Sequence, residues 1–179
     1  KTFKEEDLWS VTTREFVWIE PGFVDGDPSR PDHYTLGNSG DVHGVIAGTS
    51  GAGKSVCINE LITMMTLRHS PKELRLWLVD FKGSEFSLYL KSKRFPYQLP
   101  HLDACLCTSD PDYSRSLFTA IREESERRYN RLKQMKFRNI VEHNDEMRKQ
   151  GREDEIIPRI IFLVDEFQVI YTKADTKTI

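Results

Sequence analysis

Apolar positions along this chain come in two kinds of run, and their order predicts an architecture. Glu15-Phe16-Val17-Trp18-Ile19 is short and extended, and Pro21, Gly22, Gly26, Asp27, Pro28, Pro31 and Gly37 after it break regular structure. Residues 1–42 therefore predict a leading strand followed by turns, after a mixed-charge opening at Lys4, Glu5, Glu6 and Asp7. Val45-Ile46-Ala47 is a brief strand candidate. Val56, Ile58, Leu61, Ile62, Met64, Met65 and Leu67 then predict a helix that is apolar on several sides and stops near His69-Ser70-Pro71. Leu74 to Val79 reads as a buried parallel strand closed by Asp80, and Ala104 to Cys107 as a weaker strand followed by the turn residues Ser109-Asp110-Pro111. From about Asp112 to Lys136, Leu117, Phe118, Ile121, Tyr129, Leu132 and Met135 recur near a spacing of 3.6, predicting a long amphipathic helix. Met147 to Glu155 is polar and reads as an exposed loop or helix end, whereas Ile160 to Val164 predicts another buried strand. Strands alternating with helices at these lengths imply an α/β fold with a mainly parallel sheet.

Composition narrows this picture only a little. At 179 residues the chain is one domain by length, and a formal net charge of −2 excludes attraction to a polyanion through overall charge. Any nucleic-acid contact must be local. Between Tyr113 and Arg138 stand eight Lys or Arg against three Glu. That stretch is either a phosphate-facing surface or a solvated helix face with intrahelical pairs such as Glu123–Arg127. Cys57, Cys105 and Cys107 are too few for a disulfide framework, and no second pair completes a metal site with Cys105-x-Cys107. They read as small buried hydrophobes in a reduced, cytosolic compartment. The longest uninterrupted aliphatic or aromatic run, Ile160 to Val164, is far shorter than a membrane span. The chain begins with Lys and shows no signal peptide, so it is expected to be part of a longer polypeptide whose membrane attachment these residues do not address.

Candidate chemistry changes the picture most. Gly48-Thr49-Ser50-Gly51-Ala52-Gly53-Lys54-Ser55 fits G-x-x-x-x-G-K-[ST], the Walker A phosphate loop, between a short apolar run and a helical pattern. Glycines let backbone N–H groups turn inward around an anion, and the helix beginning near Gly53 points its positive end at the same phosphates. These eight residues and Val56 are the predicted nucleotide-binding set. Lys54 would reach the β- and γ-phosphates, and the Ser55 hydroxyl would ligate Mg²⁺. Ile160 to Val164 ends in Asp165-Glu166, a Walker B pattern. Ligands of open parallel sheets sit beyond the carboxyl ends of the strands. Asp165, on a strand expected beside the phosphate-loop strand, is assigned to Mg²⁺. Glu166 is assigned to orient and activate the attacking water. Asp80 and Lys82, at another strand's carboxyl end, could contact nucleotide, a sensor network or a neighbouring subunit, or form a turn with a solvated pair. His101 reads as structural and Trp77 as core.

Two candidate strands separate Lys54 from Asp165, a pattern of the additional-strand, RecA-like P-loop proteins. Motifs then follow in order from Gly44 onward. Gly53-Lys54-Ser55-Val56-Cys57-Ile58-Asn59, Asp80-Phe81-Lys82, Glu85-Phe86-Ser87-Leu88-Tyr89, Pro100-His101-Leu102, Glu126-Arg127-Arg128-Tyr129, Arg138-Asn139-Ile140 and Val164-Asp165-Glu166-Phe167 together resemble the FtsK/SpoIIIE superfamily of hexameric motor ATPases. The resemblance implies a RecA-like P-loop NTPase with a mainly parallel sheet flanked by helices. Residues 1–42 would be a lead-in, and 43–179 the N-terminal portion of the ATPase domain, incomplete at its C-terminal end. In the family a sensor strand, an arginine finger and a closing strand would follow. ATP and Mg²⁺ are the implied cofactors and a homo-oligomeric, hexameric ring the implied assembly. Turnover would be weak without neighbours, since an arginine finger is worth ~10³–10⁵ in rate. The implied location is the bacterial cytoplasm, with anchorage to the inner face of the cell membrane only through regions outside this chain. Double-stranded DNA is the first implied cargo. Phe81 in place of the usual Pro, followed by Lys82-Gly83, is more similar to the ATPases of type VII secretion, so a protein substrate is the alternative. An ATP-dependent regulatory or defence module is the third reading.

Overall fold

The computed structural model describes residues 8–23, 26, 27, 29–37, 42–93, 96–108 and 110–169. The charged opening at Lys4 to Asp7, the expected breaker Pro28 and the turn residue Ser109 lie outside the described residues. Two antiparallel strands, β1 (Val17–Phe23) and β2 (Pro31–Leu36), precede helix α1 (Lys54–Arg68). The strands β3 (Leu74–Asp80), β4 (Leu102–Cys107) and β5 (Arg159–Asp165) form a parallel sheet in the order β4-β3-β5. A 3₁₀ turn at Phe86–Tyr89 lies between β3 and β4, and helices α2 (Pro111–Gln134) and α3 (Ile140–Lys149) lie between β4 and β5. The expected α/β class with a parallel sheet is the one observed.

The core sits between α1, β1 and the central strand. Ile58, Ile62 and Met65 of α1 meet Leu74, Leu76 and Leu78 of β3, Val17 and Ile19 of β1, and Phe86 of the 3₁₀ turn. Burial of an aliphatic side chain stabilises by about 1.5–3 kcal/mol, so this one-sided stripe on α1 is what holds the phosphate-loop helix to the sheet. In β3, Leu74, Leu76 and Leu78 are buried, as are Val79 and Asp80, which suits the middle strand of a parallel sheet.

Several sequence expectations change here. Val45-Ile46-Ala47 is not a strand; residues 42–53 are exposed, with Val45 at 79 %. A strand needs a hydrogen-bonding neighbour, and among the described residues this segment pairs with none, so Asp165 does not stand on a strand beside a phosphate-loop strand. The expected breakers Pro21 and Gly22 lie inside β1, which takes them up as a register shift between Ile19 and Gly22. The lead-in also holds a second strand, β2, with Pro31 at its first position, where no ladder N–H is lost. Of the two readings of Met147 to Glu155, the helix end holds at its start, where α3 runs to Lys149, but Met147 is buried there instead of exposed. Ile160 to Val164 are half-buried, since β5 lies at one end of the sheet order. All three cysteines are likewise half-buried. Helix α2 forms as predicted, yet Phe118 and Tyr129 are exposed. Its acidic partner is Glu124, not Glu123: Glu124 takes both Arg127 and Arg128, which hold its carboxyl down to about 2.

The amino ends of the strands form a structural clamp. Arg159 donates from its guanidinium to the carbonyls of Thr13, Arg14, Glu15 and Gly37. Glu73 accepts from the Thr13 N–H and hydroxyl and from Arg148 of α3. Asn144 of α3 pairs through its amide with both backbone groups of Ile157. His69 ends α1 and is fully buried; its Nδ1 donates to the Val11 carbonyl and its Nε2 accepts from the Trp18 N–H. His101 donates through Nε2 to the His69 carbonyl at 2.7 Å. His101 is thus structural, and Trp77 is half-buried.

Burial holds both histidines below their usual value. The unfolded chain takes up their protons near pH 6.5, and the folded chain resists doing so. Their contribution is therefore full above about pH 6.5 and is lost as the pH falls below it, by up to about 1.4 kcal/mol per pH unit for each proton. Urea midpoints measured from pH 8 to pH 5.5 should fall over the acid half of that range, and less steeply in a His101→Asn variant.

Candidate functional site

The carboxyl ends of the sheet carry the chemistry. Parallel pairing sets Asp80 of β3 opposite Asp165 of β5 on one side and Cys107 of β4 on the other, so the three strands end flush. The phosphate loop reaches this edge from α1. Gly51 and Gly53 have φ of 80° and 89°, a region costly for residues with a Cβ. Gly53 is also the N-cap of α1, and no side chain among the described residues caps the helix there. The first N–H groups of α1, including those of Lys54 and Ser55, are the ones a helix leaves without an internal acceptor. An uncapped helix end of this kind suits an anion.

Lys54 connects the two halves of the site. Its Nζ lies 3.0 Å from Asp165 Oδ1 and 3.4 Å from Glu166 Oε1. Asp165, first among the causes, holds the Lys54 ammonium above its usual range. Asp165 is buried, and apart from this ion pair its Oδ1 receives no hydrogen bond from the described residues. Glu166 is built differently. Its backbone has φ of 56°, a left-handed conformation that costs of order 1–3 kcal/mol outside glycine and tends to occur at functional positions. Its Oε1 also accepts from Lys82 Nζ, and its Oε2 from the Gln168 amide. Lys82 and then Lys54 hold the Glu166 carboxyl below its usual range.

Asp80 is neither solvated nor paired with Lys82. It is fully buried, and its carboxylate accepts from the backbone N–H groups of Lys82, Gly83, Glu85 and Phe86 at 2.7–3.4 Å. Burial alone would push its carboxyl up; the four N–H groups outweigh that and hold it below its usual range. Gly83 at φ 77° closes the turn. Asp80 thereby shapes the segment from which Lys82 reaches Glu166.

A further pair ties α1 to this edge. Tyr89 donates its hydroxyl to Asn59 Oδ1 at 2.6 Å. Both positions fall in the sequence motifs above, yet neither was singled out as a site residue; only their shared presence in two motifs signalled it. Gln168 carried no signal at all. Val56, one of the predicted nucleotide contacts, is 71 % exposed on the outer face of α1. Gly48, Thr49 and Ser50 are exposed along with Ala52, and Ser55 is half-buried.

The donor set fits a small hard cation. Among the described residues no group of three or more His, Cys, Asp and Glu is arranged to hold a metal. By donor type, the buried carboxylate oxygen of Asp165 and the hydroxyl of Ser55 are of the kind taken by an ion that completes its shell with water and phosphate, as Mg²⁺ does. No described helix is long and apolar enough to cross a membrane.

Comparison with known proteins agrees with the motif order. The model of the FtsK/SpoIIIE family matches residues 24–177. A protein named DNA translocase FtsK from Campylobacter jejuni (strain 81-176) is 38 % identical over 124 residues, covering 69 % of this chain and 12 % of that protein. Another of that name, from Oceanobacillus iheyensis, is 37 % identical over 128 residues, covering 69 % and 15 %. The chain thus spans about an eighth of the length of such relatives. Among solved structures, the cytoplasmic domain of the Thermomonospora curvata type VII secretion ATPase EccC superposes with a TM-score of 0.77 at 24 % identity, over 98 % of this chain and 20 % of that one. The pCW3 conjugation coupling protein TcpA, with ATPγS, gives 0.59 at 19 % identity, over 99 % and 41 %. These likenesses fix the fold as that of the RecA-like P-loop proteins. With most of its length matched by the family model, the chain belongs to the FtsK/SpoIIIE family.

Proposed function

We propose that this chain is the nucleotide-binding portion of an ATPase subunit that works in an oligomeric ring and translocates double-stranded DNA. One observation carries the reading: the phosphate-loop lysine, Lys54, stands between the two acids that end β5. Gly48 to Ser55, with the N-terminus of α1, would bind the triphosphate, and Lys54 would exchange its carboxylate partners for phosphate oxygens. Ser55 and Asp165 would hold Mg²⁺, which neutralises charge on the phosphates when bound. Glu166 would take the proton of the attacking water. The relatives named DNA translocase FtsK support DNA as the cargo.

Turnover by the complete polypeptide, measured with and without duplex DNA, tests this. Binding of the duplex and a several-fold rise in ATP hydrolysis are expected. A protein that neither binds DNA nor responds to it would refute the DNA reading. A protein substrate is the second reading, favoured by Asp80-Phe81-Lys82-Gly83; stimulation by a secretion-signal peptide instead of DNA would select it.

A further inference from the structure

Glu166 is heavily occupied for a group assigned to activate water, and this inference rests on that assignment. A carboxylate offers about four lone-pair sites. Three are taken: Oε1 faces the ammonium groups of both Lys54 and Lys82, and Oε2 takes the Gln168 amide. Lys54 has other work, because a bound triphosphate draws it to the phosphates. Lys82 lies outside the phosphate loop. It sits past the end of the neighbouring strand, on a backbone fixed by the Asp80 carboxylate and by the left-handed turn at Gly83. A rigid turn carrying a long side chain onto one acid is a built contact. Its outer face is open: the Lys82 side chain is 62 % exposed, so its ammonium can swing into solvent without disturbing the core.

We propose that Lys82 is a positioning residue that restrains Glu166 in a resting geometry, so that the carboxylate meets the attacking water only once Lys82 has let go. Lys82 thereby sets the basal rate without touching nucleotide. Removing the ammonium should raise turnover in the absence of cargo, whereas a residue that stabilised the transition state would lower it.

The test uses the complete polypeptide with saturating ATP and no DNA. Lys82→Met keeps the length of the side chain and removes its charge. Its kcat is expected to rise at least about threefold, a small part of the ~10²–10⁴ that a positioned general base supplies. Lys82→Arg should remain near the parent rate. Affinity for a fluorescent ATP analogue should be unchanged in both. Gly83→Ala leaves the ammonium in place but disfavours the turn, and should raise kcat in the same direction. A kcat for Lys82→Met at or below the parent value, with analogue binding retained, overturns the proposal. So does loss of analogue binding in both Lys82 variants, which would make Lys82 part of the nucleotide site. A readout independent of turnover is the labelling of Lys82 by an amine-reactive ester, expected to be faster in Glu166→Gln than in the parent; equal rates would overturn the pairing. Should Glu166→Gln itself keep full turnover, the assignment of Glu166 fails, whichever way Lys82→Met behaves.

Discussion

Glu166→Gln should retain ATP and lose most of its hydrolysis, with kcat falling by about 10²–10⁴ while analogue binding changes little. The amide keeps the size of the side chain but loses the charge that pairs with Lys82, and it cannot take a proton from water. The phosphate loop, Lys54, Ser55 and Asp165 remain intact in this variant, so affinity should be spared. The left-handed backbone at position 166 is the same for Glu and Gln, and no new strain arises. Steady-state turnover beside equilibrium binding of a fluorescent analogue separates the two effects. A joint loss of affinity and turnover would place Glu166 among the binding groups instead of the reacting ones.

Asp80→Ala is expected to be the most destabilising single change at this edge, at about 3–5 kcal/mol. The carboxylate is fully buried and serves four backbone N–H groups between Lys82 and Phe86. Truncation leaves those donors without acceptors in a segment whose Phe86 is part of the core. An exposed acid would cost no more than about 0.5 kcal/mol when truncated, so a urea midpoint decides between the two situations. Asp80→Asn keeps one acceptor oxygen and should fall between. Because the turn also delivers Lys82 to Glu166, the surviving folded fraction of Asp80→Ala should show raised basal turnover as well.

Much of this arrangement was legible in the residues because the signals are local. Gly51 and Gly53 need left-handed backbone, and Ile58, Ile62 and Met65 recur at helical spacing; these facts sit within twenty residues of one another. The same holds for the apolar run of β3. What escaped depends on partners far along the chain. Val45-Ile46-Ala47 has the composition of a strand but no neighbour to pair with among the described residues, and composition cannot supply one. The Lys82–Glu166 contact spans 84 positions and exists only because Asp80 and Asp165 fall in register. Helix α3 is a different kind of miss. Its start was signalled by Asn139 and Glu142, three residues apart, and the Asn139 side chain does accept from the Glu142 N–H. The polar residues that follow hid it. For Asp80 the sequence left open a contact with nucleotide, a sensor network or a neighbouring subunit, or a turn with a solvated pair, and nothing nearby showed that the next six residues fold back over its carboxylate.

Strand β5 brings Asp165 and Glu166 to the site, and among the described residues it bonds to β3 alone. Among the described residues no strand pairs with its other margin, where alternate residues of the Ile160–Val164 run turn their amides and carbonyls, and an uncovered margin of that kind welcomes a strand from any molecule. The segment that presents the acids is thus also an adhesive seam. Polypeptides carrying these residues with that margin uncovered will cling to one another as concentration rises.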